Sequence, residues 1–346
     1  MGAPGASPRL SRRRLLAAGG LLAGAAALGA ACGQRPGQSP PAAARPDTLR
    51  FISWSAPRAE QANLFVARER GYFRDQGIDF EYRAGQGTGD AMKQLLAGNG
   101  DVAFVGPEVI YFTADQGGDA VGIYNTYPQN LFVILSWPEA AVRAPADLKG
   151  KTIGVLSQAS SSRYTVLTLL ALAGLKEADV TLVATGPSPA PLLEHKVDAW
   201  STIATTADAV QRQSGQTFAV LPARDYLNLP TDLFATTRQL YLERPDLLVR
   251  FLRAVRQGTE YTIAHPTESA EIAVKDALDI KTVPAAEVVI RAFGEAAQSD
   301  TTHAQGLGYF DLAVLREGAR LYQETGLVKS RVDADRYFTN DLVAQL

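Results

Sequence analysis

The sequence predicts an α/β fold of two lobes, each a mostly parallel sheet with flanking helices, between which the chain crosses twice. Three observations predict it. Short apolar strands alternate with amphipathic helices from Thr48 onward, a second α/β unit opens at "DLKGKTIGVL" (147–156), and the pattern after "LPTDLFATT" (229–237) turns to nearly continuous helix. Strand–helix alternation at this spacing builds a parallel sheet covered on both faces. The roughly 300 residues beyond Thr48 are ample for two separate cores.

Taken in order, "TLRFISW" (48–54) is a strand, 59–70 a helix closed by Gly71, and "IDFEYR" (78–83) a second strand. A helix over 90–97, the strand "DVAFVG" (101–106), a helix over 108–116 and the strands "AVGIYN" and "LFVILSW" complete the first unit. The second unit continues with a helix over 161–173, the strand "VTLVA" (180–184), a short helix near 192–195, and the strands "VDAWSTI" (197–203) and "TFAVL" (217–221). Helices over 245–263, 268–277, 285–298 and 311–325 follow. The expected organisation is lobe 1 over 48–135, lobe 2 over 136–231, and a helical return to lobe 1 over 232–346.

The one cysteine of the 346 residues, Cys32, ends the stretch "SRRRLLAAGGLLAGAAALGAAC" (11–32). A cationic start (Arg9, Arg12, Arg13, Arg14), an apolar middle over 15–28 and small residues before the cysteine are laid out as an export signal over 1–31. The apolar run falls short of the roughly 20 residues a spanning helix needs. "SRRRLL" resembles the twin-arginine export signal. "LGAAC" resembles the lipobox of bacterial lipoproteins, with Leu28 one place further from the cysteine than usual; this resemblance implies that Cys32 receives lipid. A lone cysteine also disfavours a disulfide or a Cys-rich metal site. The residues after it, "GQRPGQSPPAAARPD", have no apolar periodicity and read as a flexible leash over 32–47. The expected location is therefore exported, lipid-anchored at the cell membrane and facing the periplasm or the cell exterior.

Of the 34 basic and 36 acidic residues, six and one respectively lie before Thr48, leaving 28 against 35 and a net charge of −7 beyond it. Such a surface is poorly suited to nucleic acid, whose phosphates need a basic face. "GQGTGD" (85–90) lacks the spacing of a dinucleotide loop and the lysine of a P-loop. His195, His265 and His303 form no HExxH arrangement, and no Gly-x-Ser-x-Gly elbow occurs. No cofactor, metal or catalytic group is expected.

"NLFVARERGYFRDQGIDFEY", then "QLLAGNGDVAFVGPEVI", then "DLKGKTIGV" resemble, in order, the solute-binding receptors of bacterial ABC importers, in the group serving thiamine pyrimidine precursors, alkanesulfonates and nitrate. "GPEV" (106–109) and the terminal "YFTNDL" (337–342) are similar to the pyrimidine branch. The resemblance implies a type II periplasmic-binding-protein-like fold. It also implies a small-molecule solute, ABC permease and ATPase subunits as partners, and a monomer. An aminopyrimidine related to thiamine is the expected solute, with an alkanesulfonate or nitrate as alternative. Two other readings use the same fold: a pyrimidine synthase, whose relatives carry a Cys-rich iron-binding run absent here, and a sensor module. The chain departs from the branch at "SAPRAEQAN" after Trp54, where Gln61 stands in place of an expected histidine, and at "WSTIATT" after "VDA".

In open α/β sheets ligands bind beyond the carboxyl ends of the strands, and two facing lobes make a cleft. Trp54, ending the first strand, is expected to stack on a flat ligand, or else to be a rim or core tryptophan. Glu108 opens the helix behind Pro107 and either contacts the ligand or favours the helix dipole. Asn130, at the interlobe crossing, has an amide for the ligand or for a turn. Ser160 and Ser161 stand at a helix start, where hydroxyls and free backbone N–H groups bind a polar edge or cap the helix. Thr205, just past "VDAWSTI", completes the expected set.

Overall fold

The computed structural model describes residues 45–346; the expected export signal, Cys32 and all but the end of the leash lie outside the described residues. The strands are β1 (Asp47–Ser53), β2 (Ile78–Ala84), β3 (Val102–Val105), β4 (Ala120–Tyr127), β5 (Phe132–Ser136), β6 (Thr152–Val155), β7 (Thr181–Ala184), β8 (Ala199–Ile203), β9 (Ala219–Pro222) and β10 (Asp232–Thr237). Helices of eight residues or more are α1 (Ala62–Glu69), α2 (Thr88–Leu96), α3 (Pro107–Asp115), α4 (Ser161–Leu172), α5 (Ala204–Ser214), α6 (Pro245–Ala264), α7 (Pro266–Asp276), α8 (Val283–Ala296) and α9 (Leu312–Glu324).

The strands form two five-stranded sheets, in the orders β2-β1-β3-β10-β4 and β7-β6-β8-β5-β9. Both sheets are mixed. In the first, β1 runs parallel to β2 and β3, while β10 is antiparallel to β3 and β4. In the second, β6 runs parallel to β7 and β8, while β5 is antiparallel to β8 and β9. The parallel half of each sheet follows from the strand–helix alternation. The antiparallel half comes from the strands that carry the chain across: β5 enters the second sheet and β10 re-enters the first, each from the cleft edge.

Burial follows position. Every residue of β3 and of the edge strand β4 is buried, as expected of strands covered on both faces, whereas β2, at the other edge, alternates. One face of the first sheet packs Phe51, Phe104 and Phe234 against Phe251 of α6, and the other packs Val105 and Leu233 against Ile110 of α3 and Leu315 of α9. Phe73 and Phe80 stack at 4.3 Å. Each such side chain contributes about 1.5–3 kcal/mol on burial. The second sheet has its own cores, around Ile153 and Leu169 on one face and Trp200 and Phe218 on the other.

Helix α5 has no counterpart in the sequence reading. Only Ala207 and Val210 of its eleven residues are buried, too narrow an apolar stripe to announce a helix.

Two segments join the sheets, 128–131 between β4 and β5 and 223–231 between β9 and β10. They are laced together: Thr231 Oγ1 donates to Gln129 O at 2.6 Å and accepts from Leu131 N, while Thr231 N donates to Tyr127 O. The two crossings are therefore paired.

Candidate solute-binding cleft

The carboxyl ends of β1 and β2 in one sheet, and of β6, β7 and β8 in the other, lead into a common cavity. Its space is about 750 Å³ when the open mouth is included. Trp54, Arg58, Glu60 and Asp232 line it from the first sheet's side, and Phe132 and Trp200 from the second. Backbone geometry explains the last arrivals. Asp232 pairs with Tyr127 and the adjoining Leu233 with Val105, so the start of antiparallel β10 lies at the ends of β3 and β4. Phe132 pairs with Ile203 in the same way.

The cavity wall is short of hydrogen-bond partners. Trp54 Nε1 and Arg58 Nε are buried donors with none. The Trp54 indole approaches the Asp232 carboxyl without closing a bond. Arg58 lies 3.6 Å from Glu60 and 3.4 Å from Asp279, distances of ion pairing rather than hydrogen bonding. Burial, then the charges of Glu60 and Glu108, hold the Asp232 carboxyl well above the usual carboxylate range. Burial also raises Glu60, against the pull of Arg58.

The expected site residues separate into two groups. Trp54, Ser160 and Ser161 line the cavity. Ser160 Oγ donates to Ser157 O at 2.7 Å and makes no cap bond to α4. Glu108, Asn130 and Thr205 are not among the cavity's lining residues. Glu108 is buried at the start of α3 and its Oε1 accepts a 2.6 Å hydrogen bond from Ser161 Oγ, so it meets the opposite lobe. Burial pushes its carboxyl up to about 7, opposed by that bond. Asn130 is consumed in the paired crossings: its Nδ2 donates to Leu227 O and its Oδ1 accepts from Phe132 N. That is the turn role of its two alternatives. Thr205 lines a separate surface depression with Lys281 and Val288, while its neighbour Thr206 reaches the cavity.

Gln61, in the place of the expected histidine, donates to Ser53 Oγ and accepts from Tyr82 OH, which leaves its amide little capacity for a solute. "GQGTGD" is an interlobe contact: Gly89 N donates to Ala159 O at 2.9 Å.

Sequence reasoning missed Arg58, Glu60, Phe132, Trp200, Asp232 and Phe293. Asp232 and Phe132 begin strands, and only the antiparallel direction brings a strand's start to the binding edge. Arg58 and Glu60 lie in "SAPRAEQAN", where the departure from the family pattern was itself the signal. Phe293 comes from α8, 239 residues after Trp54, and no local pattern marks it.

The two mixed α/β sheets, the double crossing and the cleft between them define the periplasmic-binding-protein fold. The chain belongs to the NMT1/THI5-like family, whose profile matches residues 58–269. It is 28% identical over 333 residues to the riboflavin-binding protein RibY of Chloroflexus aurantiacus, covering 89% of this chain and 91% of that one. A 4-amino-5-hydroxymethyl-2-methylpyrimidine phosphate synthase of Saccharomyces cerevisiae is 22% identical over 250 residues, or 68% of this chain and 72% of the yeast protein. Among solved structures, the alkanesulfonate-binding protein SsuA of Xanthomonas axonopodis pv. citri, bound to MOPS, superposes with a TM-score of 0.64 at 19% identity, over 86% of this chain and 100% of the other.

Proposed function

We propose that the protein is a non-catalytic receptor of an ABC importer. It captures a small planar nitrogen heterocycle between its lobes and delivers it to a membrane permease. The observation that carries this reading is the pairing, in one interlobe cavity, of aromatic walls with an unpartnered Trp54 N–H beside the buried Asp232 carboxyl. Such a cavity favours a flat ring with a hydrogen-bonding edge. An aminopyrimidine of the thiamine pathway has both features. A flavin has them too, and the likeness to a riboflavin-binding protein over 89% of the chain favours it as a second reading. A sulfonate would face Glu60 and Asp232, and only Arg58 offers it a cation among the cavity's lining residues.

Calorimetry against 4-amino-5-hydroxymethyl-2-methylpyrimidine, riboflavin and MOPS, alongside native mass spectrometry for a co-purified solute, tests the assignment. One heterocycle is expected to bind. Binding of MOPS alone would overturn the ligand class and leave the receptor role standing.

Export and tethering through a lipid on Cys32 belong to the same proposal and rest on the signal-like run before it and the leash after it. No helix among the described residues is long and apolar enough to cross a membrane. Acyl chains supply about 0.8 kcal/mol per buried CH₂, so two or more hold firmly. Cys32→Ser is expected to release the protein from membranes; unchanged retention would remove the lipoprotein reading.

A further inference from the structure

We infer that Asp232 selects the solute as a neutral carboxylic acid, forming two parallel hydrogen bonds with an uncharged edge that carries an acceptor and a donor one atom apart. This rests on the receptor reading and narrows its ligand to molecules with an O=C–N–H or N=C–N–H edge.

The charge inventory around the cleft carries the argument. Glu60, Glu108 and Asp232 are all buried, at 6%, 6% and 7% exposure. Arg58 is the one cation lining the cavity, and it is already divided between Glu60 and Asp279. Trp54, Arg58 and Glu60 share the cavity wall with Asp232, and Tyr127 of β4 pairs with it; the charges that act on its carboxyl are those of Glu60 and, from the start of α3, Glu108, while Arg58 is held by Glu60 and Asp279. A carboxylate left there would be buried among like charges with no counter-ion of its own, and such a group takes a proton instead. The direction of its titration agrees.

Protonation changes what the residue recognises. A carboxylate only accepts, whereas a carboxylic acid donates from one oxygen and accepts at the other. The complement of that pair is an amide or amidine edge, and the unpaired Trp54 N–H stands beside it for a second acceptor on the ring. A solute with a fixed negative charge gains nothing from this wall. One with a fixed positive charge would draw the proton off Asp232, so its binding would strengthen as pH rises.

The test has a ligand-free arm and a binding arm. The infrared difference between wild type and Asp232→Asn at pH 7 is expected to contain the C=O stretch of a protonated acid; carboxylate bands in its place would overturn the inference whatever the solute is. In calorimetry with riboflavin and with 4-amino-5-hydroxymethyl-2-methylpyrimidine, Asp232→Leu is expected to weaken the probe that binds by at least about tenfold. Asp232→Asn, which restores one donor and one acceptor, is expected to recover affinity to within about threefold of wild type. Binding that Asn does not rescue, or that strengthens with pH, would mean an ionised Asp232 and overturn the inference. If neither probe binds, those two solutes are excluded from the receptor reading, while the infrared band still decides the state of Asp232.

Discussion

Ser161 Oγ donates a 2.6 Å hydrogen bond to Glu108 Oε1, and this bond joins the first turn of α4 in one lobe to the first turn of α3 in the other. Neither partner is exposed enough to exchange the bond for water. The contact exists only while the lobes are together.

The clasp makes closure sensitive to pH. The Glu108 carboxyl stands at about 7 in the buried contact, above its ordinary value of 4.5. For an acid raised by burial, the stabilisation of the closed form is complete below the ordinary value, falls as pH rises through the buried one, and is flat beyond it. Closure is therefore expected to weaken between pH about 4.5 and 7, by up to about 1.4 kcal/mol per pH unit for this group. Asp232 and Glu60 act in the same direction, so the comparison that isolates Glu108 is wild type against Glu108→Gln. Solute affinity measured by calorimetry from pH 5 to 8 should slope less in the variant; equal slopes would remove Glu108 from the closure equilibrium.

Gly87 is expected to be needed for the lobes to meet. Its φ is +110°, and a Cβ there would lie 2.5 Å from Ala159 O of the opposing lobe. Gly87→Ala should leave each lobe folded and hold the cleft open. Small-angle scattering with saturating solute would then match the solute-free profile, and compaction equal to wild type would contradict this.

Asn130 is expected to act on stability through the paired crossings. Asn130→Ala strands Leu227 O and Phe132 N and should cost about 1–3 kcal/mol of unfolding free energy in denaturant titration. An unchanged transition together with lost solute binding would return Asn130 to the ligand.

Trp54 is expected to matter for binding and little for folding. It lies at the cavity wall, only partly buried, with the Arg58 guanidinium 6.0 Å from its ring. Trp54→Ala should weaken solute binding by at least the 0.5–1.5 kcal/mol typical of aromatic pairs, about two- to tenfold or more, at nearly constant melting temperature. Full affinity in the variant would place the solute elsewhere in the cleft.

Much of the architecture was legible because it rests on local periodicity. "VAFV" is an unbroken apolar run and "AVGIYNTY" is apolar except at Asn125 and Thr126, because β3 and β4 are buried along their whole length. The edge strand β2 alternates because one side meets water. Trp54, Ser160 and Ser161 could be placed at the cleft because a parallel strand's carboxyl end is readable once the strand is. What periodicity does not record is direction. β5 and β10 look like any other strand in sequence, and only their antiparallel insertion turns Phe132 and Asp232 toward the cavity.

The sequence by itself determined the strands and helices of two successive α/β units, because burial of apolar faces at fixed periods is a local property of each segment. The tertiary structure alone decided which carboxyl lines the cleft. Glu108 and Asp232 are each an acid at the edge of a strand unit. Which of them meets the opposing lobe and which faces the cavity is set by how the two sheets are brought together, through contacts between residues as distant in sequence as Glu108 and Ser161.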